Sequence, residues 1–239
     1  MHFCFVLAKR IIESLTEQDK IAVLAISNDW ISPQLNEECL MPNQVPPVVS
    51  DVPKFTSVDP SKKKLLYKFI DGMYKGRGAT NHSLGLQKAL TVIEKSQIQN
   101  ETVMILYVSR GLLSSLTEAK VVLEAIQEAS ENITCQFVIN TCAVIDDSRP
   151  TIYETQFLED IALQNYNKYN ISFSGNVVSG AMIAVNSSDA VEFALNRFYA
   201  VFNANFSYDL EKKMSLPLWD KNSKGKFTNV FRLVFLVLL

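Results

Sequence analysis

The chain has 239 residues, 48% of them hydrophobic, so it can bury one sizeable core, and a single domain is the default expectation. Its 23 basic and 25 acidic residues nearly cancel. Nucleic acids and anionic membranes are bound through basic patches, so this balance gives no sign of either partner.

The two ends of the chain are apolar but short. Residues Met1–Leu7 lack the length of a secretory leader with its cleavage site. The run Val230–Leu239 falls well short of the roughly 20 residues that a membrane-spanning helix needs. We therefore expect no signal peptide and no transmembrane helix in this chain, and we interpret the tail as either a strand or foreign sequence.

Local patterns predict an alternation of helices and strands. A helix over residues 8–18 precedes the apolar run Ile21–Ile26, whose lack of alternation is typical of a strand covered on both faces. Residues 28–60 contain most of the prolines and are interpreted as a long loop or insertion. Further helices are predicted from Ser61 to the Gly76–Gly78 turn, from near Asn81, from Thr117, over 153–165 and over 188–201, with strands over 103–108 and 133–139 and an extended stretch over 172–184. This order predicts a doubly wound α/β fold with a mostly parallel sheet.

Residues for catalysis or nucleotide binding are hard to find. The segment Gly76–Asn81 follows a helix and lacks a third glycine, so it does not fit a dinucleotide-binding loop. His82 is the credible imidazole, but its position at a helix start favours a structural role. Asp146 and Asp147 are more typical of a solvated turn than of an acid–base pair. We expect no catalytic residue, no enzyme activity and no cofactor, with a doubly wound hydrolase as the alternative.

Sequons for N-glycosylation exceed the roughly two that chance predicts. They begin at Asn81, Asn100, Asn132, Asn170, Asn186 and Asn205. This excess favours an extracellular chain. The predicted glycosylation sites are Asn100, Asn132, Asn170, Asn186 and Asn205.

Several motifs carry a resemblance to a known family. The segment Gly78–Leu90 resembles the element G-x-T-N-x-x-x-x-L-x-x-A-L of von Willebrand factor A (vWA) domains, in which the threonine, here Thr80, ligates a divalent cation. Other segments resemble the vWA-to-Cache junction of the VWFA and Cache domain-containing proteins, which are relatives of the alpha-2/delta auxiliary subunits of voltage-gated calcium channels. These segments are Phe157–Asn165, Lys168–Asn170 and Ser215–Asp220.

The resemblance implies how the chain is divided. Residues 1–205 would form a partial vWA, or Rossmann-like, domain that includes the insertion at 28–60. Residues 206–225 would begin a Cache-type region, and residues 226–239 are an apolar tail of uncertain origin. The sequence starts shortly before its first helix, so we expect the first, central strand of the vWA sheet to be lacking. A sheet without that strand would expose two long edges.

The resemblance is incomplete at the metal site. In vWA domains a D-x-S-x-S loop after the first strand, the threonine loop and an aspartate after a later strand hold the cation. Here the first loop is lacking and Arg110 stands at the aspartate position. A guanidinium about 4 Å from a divalent ion would be repelled by several kcal/mol. We therefore expect no bound metal and regard Thr80 as a vestigial ligand.

The resemblance also implies a function. It indicates a non-enzymatic module on the extracellular side of the plasma membrane that binds a protein partner, namely a voltage-gated calcium-channel ectodomain. The expected partner-binding residues at the strand ends are Thr80, Ser109 and Arg110. Arg110 would either be solvated or pair directly with a carboxylate. The alternative is an intracellular vWA scaffold domain in a protein-assembly complex.

Overall fold

The computed structural model describes the chain in separate stretches. The described residues are 2–27, 29–33, 35, 48–49, 51–73, 81–98, 102–109, 118–145, 152–173, 175–187, 190–191, 193–194, 196–198 and 232–238.

Helices and strands alternate along the described stretches. The helices are α1 (His2–Ser14), α2 (Pro60–Gly72), α3 (His82–Lys95), α4 (Glu118–Ser130) and α5 (Ile152–Leu163), with a 3-10 turn at Tyr166–Tyr169 and further helical residues between 190 and 198. The strands are β1 (Lys20–Ile26), β2 (Trp30–Pro33), β3 (Val48–Val49), β4 (Thr56–Ser57), β5 (Val103–Ser109), β6 (Phe137–Val144), β7 (Val177–Val178), β8 (Met182–Val185) and β9 (Arg232–Leu238). No helix in the described stretches is long and apolar enough to cross a membrane.

The strands form one mostly parallel sheet. Their order is β3-β2-β1-β9-β5-β6-β7, with β4 paired to β1 and β8 paired to β6. The strands β1, β9, β5 and β6 run parallel, as do β7 and β8 beside β6. Only the edge formed by β2, β3 and β4 is antiparallel within the described sheet. The predicted doubly wound α/β class is confirmed.

The centre of the sheet is occupied by a strand from the apolar tail. β9 pairs in parallel with β1 from Lys20↔Arg232 to Ile26↔Leu238, and with β5 from Val103↔Arg232 to Val108↔Val237. The two exposed edges that we expected on either side of a missing central strand are therefore absent from the described sheet. Of the two interpretations of the tail, the strand is confirmed over residues 232–238.

Both faces of the sheet are covered, because alternate strand residues enter different apolar layers. On β1, Leu24 belongs to the layer formed with α3, α4 and α5, whereas Val23 belongs to the layer formed with α1 and α2. All seven residues of β5 are buried. Such burial on both faces explains why these strands lack polar–apolar alternation.

The bounds of α1 and β6 differ from the sequence prediction. α1 begins at His2 rather than near residue 8, because Cys4 and Leu7 extend the buried stripe that Ile11 continues at helical spacing. β6 spans Phe137–Val144 rather than 133–139. Its polar residues Asn140 and Thr141 are both buried, and the Thr141 hydroxyl donates to the Leu158 carbonyl at 2.8 Å.

The proline-rich segment 28–60 contains short strands rather than only irregular loop. β2 folds back on β1 with Ile26 opposite Trp30, and β4 pairs with the start of β1. The buried Ser32 hydroxyl donates to the Val23 carbonyl at 2.9 Å. Pro33 lies at the end of β2 on the antiparallel side of the sheet, where proline is tolerated.

A buried carboxylate fastens the segment that follows α5. Asp160 is 3% exposed, and its two oxygens accept hydrogen bonds from Lys168 Nζ at 2.6 Å, the Tyr169 hydroxyl at 2.6 Å and Asn165 Nδ2 at 2.9 Å. A buried charge must be paired and hydrogen-bonded to be tolerated. Asp160 therefore fixes the 3-10 turn against the helix from which it projects.

Asp59 caps α2, and its carboxylate makes a pH-dependent contribution to the stability of the folded chain. Its carboxylate accepts from the backbone N–H groups of Ser61 at 3.0 Å and Lys62 at 2.9 Å. The hydrogen bond from the Ser61 hydroxyl, followed by those from Lys62, lowers the pKa of Asp59 well below its ordinary value. The cap is thus strongest when the carboxyl is ionised.

We expect Asp59→Ala to lower the free energy of unfolding by about 1 kcal/mol near pH 7. Because the folded-state pKa is depressed, this contribution is complete above the unfolded pKa of about 4 and is lost as the pH falls towards the folded value. Asp59→Asn keeps a capping oxygen without a charge and is the control. Urea unfolding at pH 7 and pH 3 measures the effect, and an equal Asp59→Ala deficit at both pH values would contradict it.

Candidate functional site

Three chain segments meet at the carboxyl edge of the sheet. β1 and β9 end level with each other at Ile26 and Leu238, and Val108 of β5 lies opposite Val237. Ser27 follows β1, and Ser109 is the last residue of β5. The Asn81 N–H donates to the Ser27 carbonyl at 3.0 Å, so the start of α3 lies at the same edge. In open α/β sheets this edge is where ligands bind.

Asn81 caps the start of α3, at the place where the sequence predicted a helix to begin. Its side-chain oxygen accepts from the Leu84 N–H at 2.9 Å, and its carbonyl accepts from the Gly85 N–H at 3.1 Å. The side chain of Asn81 is exposed. It therefore satisfies one of the N–H groups that a helix start leaves without a helical partner.

His82 turns inward beneath this edge. It is fully buried, and its ring lies edge-on to Phe157 at 5.0 Å and to Tyr107 at 6.1 Å between centroids. A hydrogen bond joins His82 Nδ1 and the Tyr107 hydroxyl. This position fits the structural role that the sequence favoured for His82.

Tyr107 links His82 to the end of β5. Its hydroxyl is hydrogen-bonded to the side chain of Ser109, the last residue of the strand. Complete burial, followed by the negative charge of Glu118, raises the pKa of Tyr107 well above its ordinary value, although the Ser109 hydrogen bond opposes this shift. The phenol is therefore neutral and acts as a hydrogen-bonding group.

The predicted site residues are only partly described. Ser109 lies at the expected edge and is 2% exposed. Thr80 and Arg110 lie outside the described residues, although each adjoins a described residue at this edge, Asn81 and Ser109 respectively. Sequence reasoning missed the link between His82 and Tyr107. The sequence feature that could have revealed this link is Tyr107 itself, a tyrosine within an otherwise aliphatic strand, because a buried phenol hydroxyl usually needs a hydrogen-bond partner.

Of the predicted glycosylation sites, three can be placed. Asn132, Asn170 and Asn186 are all exposed. Asn132 lies just after α4, Asn170 ends the 3-10 turn with a φ of 56°, and Asn186 follows β8. Asn100 and Asn205 lie outside the described residues.

The described edge residues are poorly suited to a hard cation. Ser27, Asn81 and Ser109 are neutral, and the Asn81 side-chain oxygen already accepts a backbone hydrogen bond. Asp29, in the turn between β1 and β2, adds one carboxylate near this edge, and its Oδ1 accepts from the Trp30 N–H at 2.8 Å. In the described part of the chain, no three His, Cys, Asp or Glu residues are grouped so that they could hold a metal. A calcium or magnesium site needs about six oxygen ligands, usually with carboxylates among them. Absence of metal stays a prediction, because Thr80 and Arg110 are not described.

The architecture defines a vWA-type α/β fold. The structure of a von Willebrand factor type A protein from Catenulispora acidiphila superposes with a TM-score of 0.50 at 12% identity, over 82% of this chain and 38% of that one. At this identity the likeness concerns the fold alone.

The sequence resembles a particular kind of vWA protein. The VWFA and cache domain-containing protein CG16868 of Drosophila melanogaster is 34% identical over 124 residues, or 49% of this chain. The resemblance stated from the motifs is thereby confirmed. The chain spans 9% of the length of that relative. No family model matches the chain.

Proposed function

We propose that this chain is a non-enzymatic, extracellular protein-interaction module that binds its partner at the carboxyl edge of the sheet. The observation that carries the proposal is the convergence of Ser27, Asn81 and Ser109 at one edge of a vWA-type fold. These residues border the segments that contain Thr80 and Arg110. Loops held on a rigid sheet are a common place for binding residues.

The proposed binding does not use a metal. Arg110 stands where the family has an aspartate, so it would repel a cation but attract a carboxylate of the partner. Thr80, beside the exposed Asn81, supplies a second polar contact. Ser109 is almost wholly buried, so its part in the site is to hold the strand end rather than to touch the partner. In this proposal, a direct ion pair between Arg110 and a carboxylate of the partner takes the place of a metal-bridged contact.

For the partner we propose an ectodomain of a voltage-gated calcium channel. The motif resemblance to calcium-channel auxiliary subunits supports this partner, and the vWA-type fold supports the more general role in protein binding. The module would act on the extracellular side of the plasma membrane.

We expect Arg110→Ala to weaken binding to an immobilised calcium-channel ectodomain at least tenfold, equivalent to about 1.4 kcal/mol. Arg197→Ala is the matched control, because Arg197 is an exposed arginine among the helical residues 196–198, away from Thr80 and Arg110 in sequence. Removing divalent cations with a chelator should leave the wild-type affinity unchanged. Equal affinities of both variants, or loss of binding with the chelator, would reject the proposal.

Glycans distinguish this function from an intracellular scaffold. We expect the native protein to carry N-linked glycans at Asn132 and Asn170, detected as mass shifts that a peptide N-glycosidase removes. The control variants Thr134→Ala and Ser172→Ala destroy the two sequons without replacing the asparagines. Keeping the asparagine matters at Asn170, because its left-handed backbone conformation is tolerated better by asparagine than by most residues. Unmodified asparagines at both sites in the native protein would favour the scaffold.

A further inference from the structure

A sequon lies at the carboxyl edge of the sheet, beside the end of β1. The tripeptide Asn81-His82-Ser83 fits the N-x-S/T pattern of an N-glycan acceptor, and the predicted glycosylation sites leave it out. The Asn81 N–H donates to the Ser27 carbonyl at 3.0 Å, which holds Asn81 against the segment that follows β1. A group attached to the Asn81 side chain would therefore stand at this edge.

Capping of α3 uses only one of the two polar atoms of the Asn81 side-chain amide. The oxygen accepts from the Leu84 N–H at 2.9 Å, and only the oxygen of an amide can accept from a backbone N–H. An N-linked glycan is attached to the other atom, Nδ2. The Asn81 side chain is exposed, whereas the next side chain, His82, is fully buried. A glycan at Asn81 is thus compatible with the cap that starts α3.

The sequon at Asn132 lies at the opposite edge of the sheet. The carbonyl of the next residue, Ile133, accepts from Asn176 Nδ2 at 2.9 Å. The Asn176 carbonyl in turn accepts from the N–H of Phe137, the first residue of β6, at 3.1 Å. Asn132 is therefore close to the amino end of β6, and a glycan there would leave the carboxyl edge open.

We infer that Asn81 is a further N-glycan acceptor and that its glycan closes the carboxyl edge of the sheet to a protein partner. The inference rests on the proposed function, because it regulates binding at the same edge. An N-glycan is bulky and well solvated, so a partner would have to displace it to reach the strand ends. The fraction of chains that carry a glycan at Asn81 then sets the fraction that can bind.

The modification needs a lipid-linked oligosaccharide diphosphate as the sugar donor. Asn81 Nδ2 forms a bond to C1 of the first sugar, and the bond between C1 and the diphosphate oxygen breaks. One amide proton passes to a base, and the lipid diphosphate leaves. The side-chain oxygen keeps its place in the amide, so it can still accept from the Leu84 N–H once the chain has folded.

Mapping of glycosylated asparagines tests the acceptor in the wild-type full chain, secreted from glycosylating cells. Treatment with a peptide N-glycosidase in heavy-oxygen water converts each glycosylated asparagine to a heavy aspartate, which mass spectrometry detects. We expect this label at Asn81. Label at Asn132 in the same sample is the positive control, because Asn132 is also an exposed sequon asparagine. An unlabelled Asn81 would overturn the inference.

Two substitutions of Ser83 test whether the glycan closes the edge. Ser83→Ala destroys the sequon and leaves the Asn81 cap in place, whereas Ser83→Thr keeps the sequon. In chains from glycosylating cells, we expect Ser83→Ala to bind an immobilised calcium-channel ectodomain about tenfold more tightly than Ser83→Thr. The same two variants made in bacteria, without glycans, should bind equally. Thr134→Ala destroys the sequon at Asn132 and is the matched control, which should leave the affinity unchanged.

Failure of the inference is distinguishable from failure of the proposed function. If Asn81 is unlabelled while the chain made in bacteria binds the ectodomain, the inference is wrong and the proposed function stands. If Asn81 is labelled but the two Ser83 variants from glycosylating cells bind equally, the closing role is wrong. If no variant from either source binds, the proposed function is wrong and the closing role with it, whereas a label at Asn81 still establishes the acceptor.

Discussion

Replacing Phe235 by proline is expected to abolish the cooperative unfolding transition of the full chain. Phe235 lies in the middle of β9, opposite Val23 on one side and Leu106 on the other. Proline removes a backbone N–H from the ladder and is confined to edges and bulges in natural sheets. In the described sheet, β9 is the sole link between the strands β1–β4 and the strands β5–β8.

The expected effect is larger than that of one lost hydrogen bond. A single bond contributes about 1 kcal/mol, but disruption of β9 separates two halves of the sheet, and the whole domain has only about 5–15 kcal/mol to lose. Phe235→Leu keeps the N–H and is the control. Urea unfolding followed by fluorescence, with size-exclusion chromatography, measures both variants. A monomeric Phe235→Pro chain that unfolds cooperatively within about 1 kcal/mol of wild type would show that β9 is dispensable.

The fold class was predictable from the sequence, but the place of β9 was not. Runs such as Ile21–Ile26 and Val103–Val108 are uniformly apolar, and that local property identifies strands buried on both faces. The tail is also uniformly apolar from Leu233 to Leu239, so its local pattern is equally compatible with a strand or with foreign sequence. Which strands the tail joins depends on pairing between residues such as Ala22 and Val234. These residues are far apart in the sequence, and a local pattern contains no information about such a contact.

The candidate site was predictable in outline. Parallel strands end at one edge, so the ends of β1 and β5 could be placed near each other from the order of the elements alone, and Ser109 was located in this way. The positions of His82 and Tyr107 could not be found similarly. Helix periodicity assigns His82 only to a helix start, and its contact with Tyr107 arises from tertiary packing of α3 on the sheet.

Gly180→Ala is expected to lower the free energy of unfolding by about 1–3 kcal/mol. A methyl group there would lie 2.2 Å from the Ile139 carbonyl oxygen and 2.7 Å from the Asn140 side-chain oxygen. Gly180 cannot easily move away, because its N–H donates to the Ala162 carbonyl at 2.8 Å. The next residue, Ala181, donates from its N–H to the same Asn140 oxygen at 2.9 Å.

Gly175→Ala tests whether backbone contact is the cause. A methyl group at Gly175 would also be crowded, at 2.6 Å from Ser130 Oγ and 2.7 Å from the Phe173 ring, but these are side-chain atoms that can rotate. We therefore expect Gly175→Ala to cost less than half as much as Gly180→Ala in urea unfolding. Equal losses would mean that crowding alone decides the cost. A larger loss at Gly175 would instead mean that the Phe173 ring cannot rotate away, because it is stacked on Tyr166 with the ring centroids 4.3 Å apart.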